Sequence, residues 1–164
     1  MKKLVLCRHA KSSWKYDVDD IYRPLNKRGL DNAPAMARHY RGNPPDIILC
    51  SPAVRTYATA LAYINENSWP LSLISLQQEL YEASSENLLQ ALTYLDTHEK
   101  NNYVWLIGHN PGLELLAEYL SCDDIEPMVT SSVVEFKLDI THWRDIEHKS
   151  AHIRYRSSPK EVLT

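Results

Sequence analysis

Two histidines and two arginines stand where a folded chain could turn them onto a single anion. Arg8 and His9 follow a short apolar run, Leu4-Val5-Leu6-Cys7. His109 follows a second run, Tyr103 to Ile107, and Arg55 lies just beyond a third, Asp46 to Cys50. Arginine offers oxyanions a planar fork of N–H donors. Imidazole, with an ordinary pKa of ~6.5, is neutral enough near pH 7 to act as a nucleophile. The set therefore suits capture of a phosphate-like anion beside a nitrogen nucleophile. A lone histidine is ordinarily a packed or solvated side chain, and His98, His142, His148 and His152 are read that way. What separates His9 and His109 is their shared position, each just past a buried run.

The elements that must hold these residues alternate. Leu4 to Cys7 reads as a buried strand and residues 11 to 25 as a polar, aromatic loop. Asn26 caps a helix running to about Arg41, with Ala33, Met36, Ala37 and Tyr40 inward. Pro34 inside it predicts a kink or a restart. Asp46 to Cys50 is the second strand. Ser51-Pro52 reads as a cap followed by proline at the first helical position, opening a helix to about Glu66. Leu71 to Leu76 is a third strand, and Ser84 or Ser85 caps a helix to about His98 with Leu88, Leu89, Leu92 and Leu95 as its stripe. Tyr103 to Ile107 is a further strand. Asn110-Pro111 repeats the cap-then-proline start of a helix to about Leu120, and Ser132 to Ile140 pairs with His152 to Arg156. Such alternation predicts an α/β fold, one domain over residues 1–164, with a largely parallel central sheet flanked by helices. Ligands of such folds bind beyond the carboxyl ends of the strands, which here are Cys7-Arg8-His9, Cys50-Ser51-Pro52 and Ile107-Gly108-His109. Helix N-termini at the last two add unpaired N–H donors.

The segments resemble, in order, the motifs of the histidine phosphatase (phosphoglycerate mutase-like) superfamily. Leu4 to Ala10 is similar to its Arg-His-Gly signature, and Arg23-Pro24-Leu25 with Arg28-Gly29 to its Arg-Pro-Leu-(Ser/Thr)-x-x-Gly segment. Ser51-Pro52-Ala53-Val54-Arg55 with Thr59 resembles Ser-Pro-x-x-Arg-x-x-x-Thr, and Gly108-His109-Asn110-Pro111 the segment of the second histidine. Each motif alone is weak; the ordered set over residues 4 to 112 is specific. Chain length and Arg8 to Trp14 (Arg-His-Ala-Lys-Ser-Ser-Trp) are most similar to the SixA-type phosphohistidine phosphatases. Ala10 stands where Gly is common, Asn26 where Ser or Thr is usual, and Thr56 where Ala is common; none touches the expected chemistry.

The resemblance implies a phosphoglycerate mutase-like fold, a phosphatase that uses no metal or other cofactor, and His9 as the group that accepts the phosphoryl. It implies phosphate binding by Arg8, Arg55 and His109, with Arg23 joining them. A pocket of cations needs no Mg²⁺ to offset phosphate charge, so activity in a chelator is expected. Glu82, just before a helix, stands where relatives place an acid that protonates the leaving group, with Glu79 close enough to be confused with it. An alcohol leaving group needs such a donor; the imidazole of a phosphohistidine needs it far less. Two substrate classes stay open: a phosphorylated protein carrying phosphohistidine, or a small phosphoester cleaved or transferred with Glu82 as acid. A phosphate-binding module without turnover is a third reading, and retention of both His9 and His109 counts against it. In the Lys11 to Tyr22 loop, Lys11, Trp14 and Lys15 are candidates to meet substrate, and Asp17, Asp19 and Asp20 to repel anions. A short loop here favours an open site, which suits a phosphorylated protein.

Composition narrows the rest. With 18 Lys plus Arg against 21 Asp plus Glu, the net charge is −3, which argues against a nucleic-acid binder. Three widely spaced cysteines, Cys7, Cys50 and Cys122, suit a reducing compartment. No apolar stretch approaches the ~20 residues of a membrane span, and the N-terminus lacks the apolar region of a signal peptide. A cytoplasmic location without membrane attachment is the expectation.

Overall fold

Leu4, Val5, Leu6 and Cys7 have no solvent exposure, because their strand, β1 (Lys2–Arg8), runs through the interior of the sheet. The structure, a computed structural model, describes residues 1–97 and 101–163. β1 pairs in parallel with β4 (Tyr103–Gly108) and antiparallel with β5 (Val133–Leu138). Beyond β4 lie β2 (Ile47–Cys50) and the short edge strand β3 (Ile74–Leu76), both parallel; beyond β5 lies β6 (Ala151–Ser157), antiparallel to β5. The order is β3-β2-β4-β1-β5-β6. The sheet is thus parallel except for β5 and its two pairings, as the strand-helix alternation predicts.

Side chains alternate across β1, and the two faces receive different helices. Leu4 and Leu6 join a cluster with Leu88 and Leu92 of α3 (Ser85–Thr93) and Leu113, Leu116 and Leu120 of α4 (Gly112–Leu120). Val5 and Cys7 join the opposite cluster with Ala37 of α1 (Lys27–His39) and Ala60, Tyr63 and Ile64 of α2 (Val54–Asn67). There Trp105 meets Tyr40, Tyr63 and Trp69 edge-on at 5.0, 4.7 and 5.5 Å between ring centroids. Such pairs contribute about 0.5–1.5 kcal/mol each beyond area burial, so they fasten α2 and the end of α1 to the sheet.

Several local expectations change. α1 runs unbroken through Pro34 and stops at His39. Pro34 removes the donor to the Leu30 carbonyl, and Leu30 is exposed, where water can take that bond. Ser51 does not cap α2. Its N–H bonds to Ile107 O at 3.1 Å, so it prolongs the ladder, and Ala53 takes the cap position. α4 likewise begins one residue late, with Pro111 at its cap; Asn110 still serves it, accepting from Glu114 N at 3.3 Å. The expected third strand shrinks because Leu71–Leu73 forms a 3₁₀ turn after Pro70. α3, capped by Ser84 through Asn87 N, ends at Thr93 and passes into a 3₁₀ turn over Tyr94–Thr97; His98 lies outside the described residues. The closing pair is β5 and β6, and a short helix α5 (Pro159–Val162) follows. Inside the expected loop, Asp20–Tyr22 forms a 3₁₀ turn and Ser12 bridges Leu25. Among the described residues no helix is long and apolar enough to cross a membrane.

Candidate active site

Register brings the strand ends together. Arg8 is level with Gly108, and Cys50 with Ile107. The ladder then continues one step further. His9 N donates to Gly108 O at 3.1 Å, Arg8 N to Ser132 O at 3.0 Å, and Ser131 N to His9 O at 3.1 Å. Arg8, His9, Ser51 and His109 therefore emerge at one edge of the sheet, on backbone held on both sides.

His9 is buried, and its Nδ1 lies 2.7 Å from the Ala10 carbonyl oxygen. A carbonyl only accepts, so Nδ1 carries the proton and Nε2 keeps its lone pair. Burial pushes the His9 pKa down; the bond to Ala10 opposes that, and Arg55, Arg8 and Arg23 add to it, leaving it at about 4. The ring is neutral at physiological pH. The turn after it is clamped by Thr59, whose Oγ1 accepts from Ala10 N at 2.9 Å and donates to Arg55 O at 2.7 Å. One turn of α2 thus presents Arg55 to the pocket and holds the backbone behind the histidine. Gly29 permits the same packing from α1: a Cβ there would stand 2.1 Å from Lys11 O.

Arg55 is buried. Its Nη1 donates to Asp20 O at 2.7 Å, and its Nη2 to Asp20 Oδ2 at 3.0 Å and Glu82 Oε1 at 2.8 Å. Arg23, also buried, donates from Nε to Asp20 Oδ1 at 2.9 Å and from Nη1 to Ser12 Oγ at 2.7 Å; its guanidinium carbon lies 3.5 Å over the Trp14 ring. Asp20 also accepts from Tyr81 Oη. Burial pushes the Asp20 carboxyl up, but bonds from Tyr81, Arg23 and Arg55 outweigh it and hold it well below the usual carboxylate range. Arg8 donates from Nη1 to Met128 O at 2.9 Å, a carbonyl that Asn110 Nδ2 also reaches at 2.8 Å.

His109 sits 5.3 Å from His9 between ring centroids. Its Nε2 lies 2.8 Å from Ser51 Oγ, and its Nδ1 is 3.4 Å from Arg55 Nη2 and 3.6 Å from Glu82 Oε1. Arg55 can only donate, so the proton of the neutral ring belongs on Nε2, pointing at Ser51. Burial, then His9 and Arg55, push this histidine down to about 3. Glu82 holds its position with φ 50°, a left-handed backbone that non-glycine residues seldom adopt. Gly112 at the start of α4 accommodates that turn, since a Cβ there would meet Ala83 O at 2.1 Å.

All six residues singled out from the sequence, Arg8, His9, Arg23, Arg55, Glu82 and His109, line one cavity of about 270 Å³, with Lys11, Ser12, Trp14, Asn110 and Thr130. Glu79 does not; it lines a separate cavity with Gln77 and Tyr94. Lys11 and Trp14 reach the site and Lys15 does not. Asp20 is the correction in this loop. Expected to repel anions, it instead holds two arginines. Ser51 and Tyr81 were not foreseen as partners of the site. For Asp20, the i, i+3 spacing from Arg23 is the one local signal of its role. Four cationic side chains face two carboxylates here, Asp20 and Glu82, and the excess matches the charge of a phosphoryl dianion. A larger cavity of about 580 Å³, lined by Ile125, Val129, Val134 and Ile153 among others, holds neither histidine. Chemistry rather than size marks the site.

Residues 4–102 match the family model described as the histidine phosphatase superfamily (branch 1). The chain belongs to that superfamily. It is a phosphatase by that membership, with the phosphoglycerate mutase-like fold. Among solved structures, the protein histidine phosphatase SixA complexed with tungstate is 23% identical, with a TM-score of 0.79 over 96% of this chain and 97% of that one. A protein assigned as the phosphohistidine phosphatase SixA of Agrobacterium tumefaciens is 26% identical, with a TM-score of 0.76 over 96% and 99%. A protein of Escherichia coli assigned as an alpha-ribazole-5'-P phosphatase is 17% identical, with a TM-score of 0.68 over 96% and 98%. Comparison with curated proteins finds no match.

Proposed function

We propose that this phosphatase removes the phosphoryl group from phosphohistidine in a protein, by way of a phosphohistidine formed on its own His9. The observation that carries the choice of substrate is that both carboxylates of the site, Asp20 and Glu82, accept hydrogen bonds from Arg55. That arrangement suits charged acceptors, not an acid that must deliver a proton to an alkoxide. A departing imidazole has no such need.

His9 Nε2 attacks phosphorus in line as the P–N bond to the substrate imidazole breaks. The leaving ring keeps a proton on its other nitrogen and departs neutral. His9 then carries the phosphoryl on Nε2 and the proton on Nδ1, still donated to Ala10 O. Water attacks phosphorus, the P–Nε2 bond breaks, and phosphate leaves with both of the water's protons. Arg8, Arg23 and Arg55 hold the equatorial oxygens, where charge spreads in the transition state. The arriving dianion opposes the burial and the arginine charge that hold His109 neutral, so His109 takes a proton from solvent at Nδ1 and donates it to a phosphoryl oxygen. Asp20 is a positioning residue, holding the forks of Arg23 and Arg55 side by side.

A small phosphoester is the second reading. Glu82 favours it, being kept in the pocket at the cost of a left-handed backbone. The SixA likenesses support the first reading; the ribazole phosphate phosphatase likeness supports the second. A cytoplasmic setting goes with the first, supported by three free cysteines.

The deciding experiment incubates the chain with a histidine-phosphorylated protein domain in EDTA and follows phosphate release. Release at a rate above that with small phosphoesters is expected. Turnover of phosphoesters alone would overturn the substrate assignment.

A further inference from the structure

Among the described residues, the segment from Trp14 to Tyr22 carries the densest run of exposed large apolar side chains. Trp14 is 80% exposed, Tyr16 55%, Val18 46% and Tyr22 61%. Four such side chains stand in water within nine residues, and clustered exposure of this kind marks interaction surfaces. Trp and Tyr are enriched at interface centres; Lys15, Asp17 and Asp19, which interleave with them here, are of the polar kind that interface rims carry.

The segment is anchored. Ser13 N donates to Pro24 O at 2.7 Å, Tyr22 N to Asp19 O at 2.9 Å, and Lys15 N to Ser13 Oγ at 3.1 Å. The Asp20 carboxylate ties its C-terminal turn, Asp20–Tyr22, to Arg55 and Arg23. Both ends of the segment are thus held on fixed backbone, which lowers the entropy cost of binding. The segment is also continuous with the catalytic pocket, because Trp14 lines that cavity while stacking on Arg23.

Pocket size says what must lie outside. A cavity of about 270 Å³ accepts a phosphoryl group and the ring that bears it. A small phosphoester would be contained there and would never touch Tyr16 or Val18. A protein cannot be contained, and its surface around the phosphorylated side chain must rest on the rim.

We propose that Trp14 to Tyr22 is the docking surface for the phosphorylated protein, receiving apolar residues that flank its phosphohistidine. The inference rests on the phosphohistidine reading above and adds where the partner is held.

The test leaves Trp14 alone, since it packs on Arg23, and uses Tyr16→Ala with Val18→Ala, and separately Tyr22→Ala. These side chains face solvent, and an unchanged circular dichroism spectrum and Tm check the fold. Each variant is assayed on a histidine-phosphorylated protein domain and on free phosphohistidine, which shares the leaving group and lacks the protein surface. The expected result is a KM for the phosphoprotein raised about tenfold or more, with kcat unchanged and free phosphohistidine turned over within about twofold of wild type. An unchanged KM for the phosphoprotein, or an equal loss on both substrates, overturns the docking surface alone. If the wild-type chain turns over free phosphohistidine and not the phosphoprotein, the substrate assignment fails and the docking surface fails with it.

Discussion

The candidate active site has two walls built on different principles. The floor is made of strand ends and the first turn of α2: His9, His109, Arg55 and Ser51, all buried. Its backbone is a continuation of the sheet ladder. The rim is made of turns: Trp14, Asp20, Tyr81 and Glu82, exposed or partly so. The two meet at Arg55, which takes its place from the helix and its hydrogen bonds from the rim. A buried floor can hold two neutral histidines among arginines without water relaxing the geometry, and that is where bond making belongs. An exposed rim can be exchanged without disturbing the core, and that is where substrate choice belongs.

The largest effect should follow from loss of His9, the proposed nucleophile in the floor. His9→Ala should lower turnover of every phosphorylated substrate by on the order of 10⁴-fold, with no phosphoenzyme trapped after acid-free quenching; residual turnover within tenfold would place the nucleophile elsewhere. Arg55→Met, close in size and without the fork, should cost about 10²–10³-fold on phosphoprotein and free phosphohistidine alike. A loss confined to one of them would make Arg55 part of the rim instead. Asp20→Asn keeps the shape and drops the charge that aligns two arginines. About a tenfold loss in kcat/KM is expected, carried by KM for phosphate-bearing ligands, with inorganic phosphate inhibition weakened in parallel. If inhibition by phosphate is unchanged, Asp20 does not position the forks.

Glu82→Gln separates the walls most finely. On phosphohistidine its effect should stay within about threefold; on an alkyl phosphate a loss of about 10²-fold would reveal a general acid and move the enzyme to the second reading.

The smallest effect is on stability. His9 and His109 are held at about 4 and about 3 in the fold, against ~6.5 in the unfolded chain. Between these values the unfolded state binds more protons, so stability falls as pH drops from ~6.5 toward about 4. Urea denaturation across that window should show the slope in wild type and a shallower one in His9→Gln/His109→Gln. Asp20→Asn should alter only the lower end of that window, because its carboxyl titrates at ~3.9 in the unfolded chain and well below that in the fold, so its contribution begins to fade only below about pH 5. A wild-type curve flat over the window would mean the floor histidines are not desolvated.

The same division governs what could be read in advance. Strands and helices were legible because they rest on local signals: apolar runs, the Asn26 and Ser84 caps, and the leucine stripe of α3. The floor followed from them, since an α/β alternation sends whatever lies past its strands to one edge. The error at Ser51 shows the limit. Ser-Pro is a good helix cap, and the ladder bond to Ile107 O together with His109 outcompeted it. Neither partner is near Ser51 in sequence.

The sequence by itself determined the strand ends, the ordered motifs between residues 4 and 112, and so the residues that would share a pocket. The tertiary structure decided which atoms face which: the proton on His9 Nδ1, the hydroxyl behind His109, the carboxylate between Arg23 and Arg55, and Glu82 rather than Glu79 in the site. The physical reason is range. Periodicity and capping act over three or four residues, whereas Asp20 meets Arg55 across 35 positions and Ser51 meets His109 across 58, contacts that exist only once both faces of the sheet are packed.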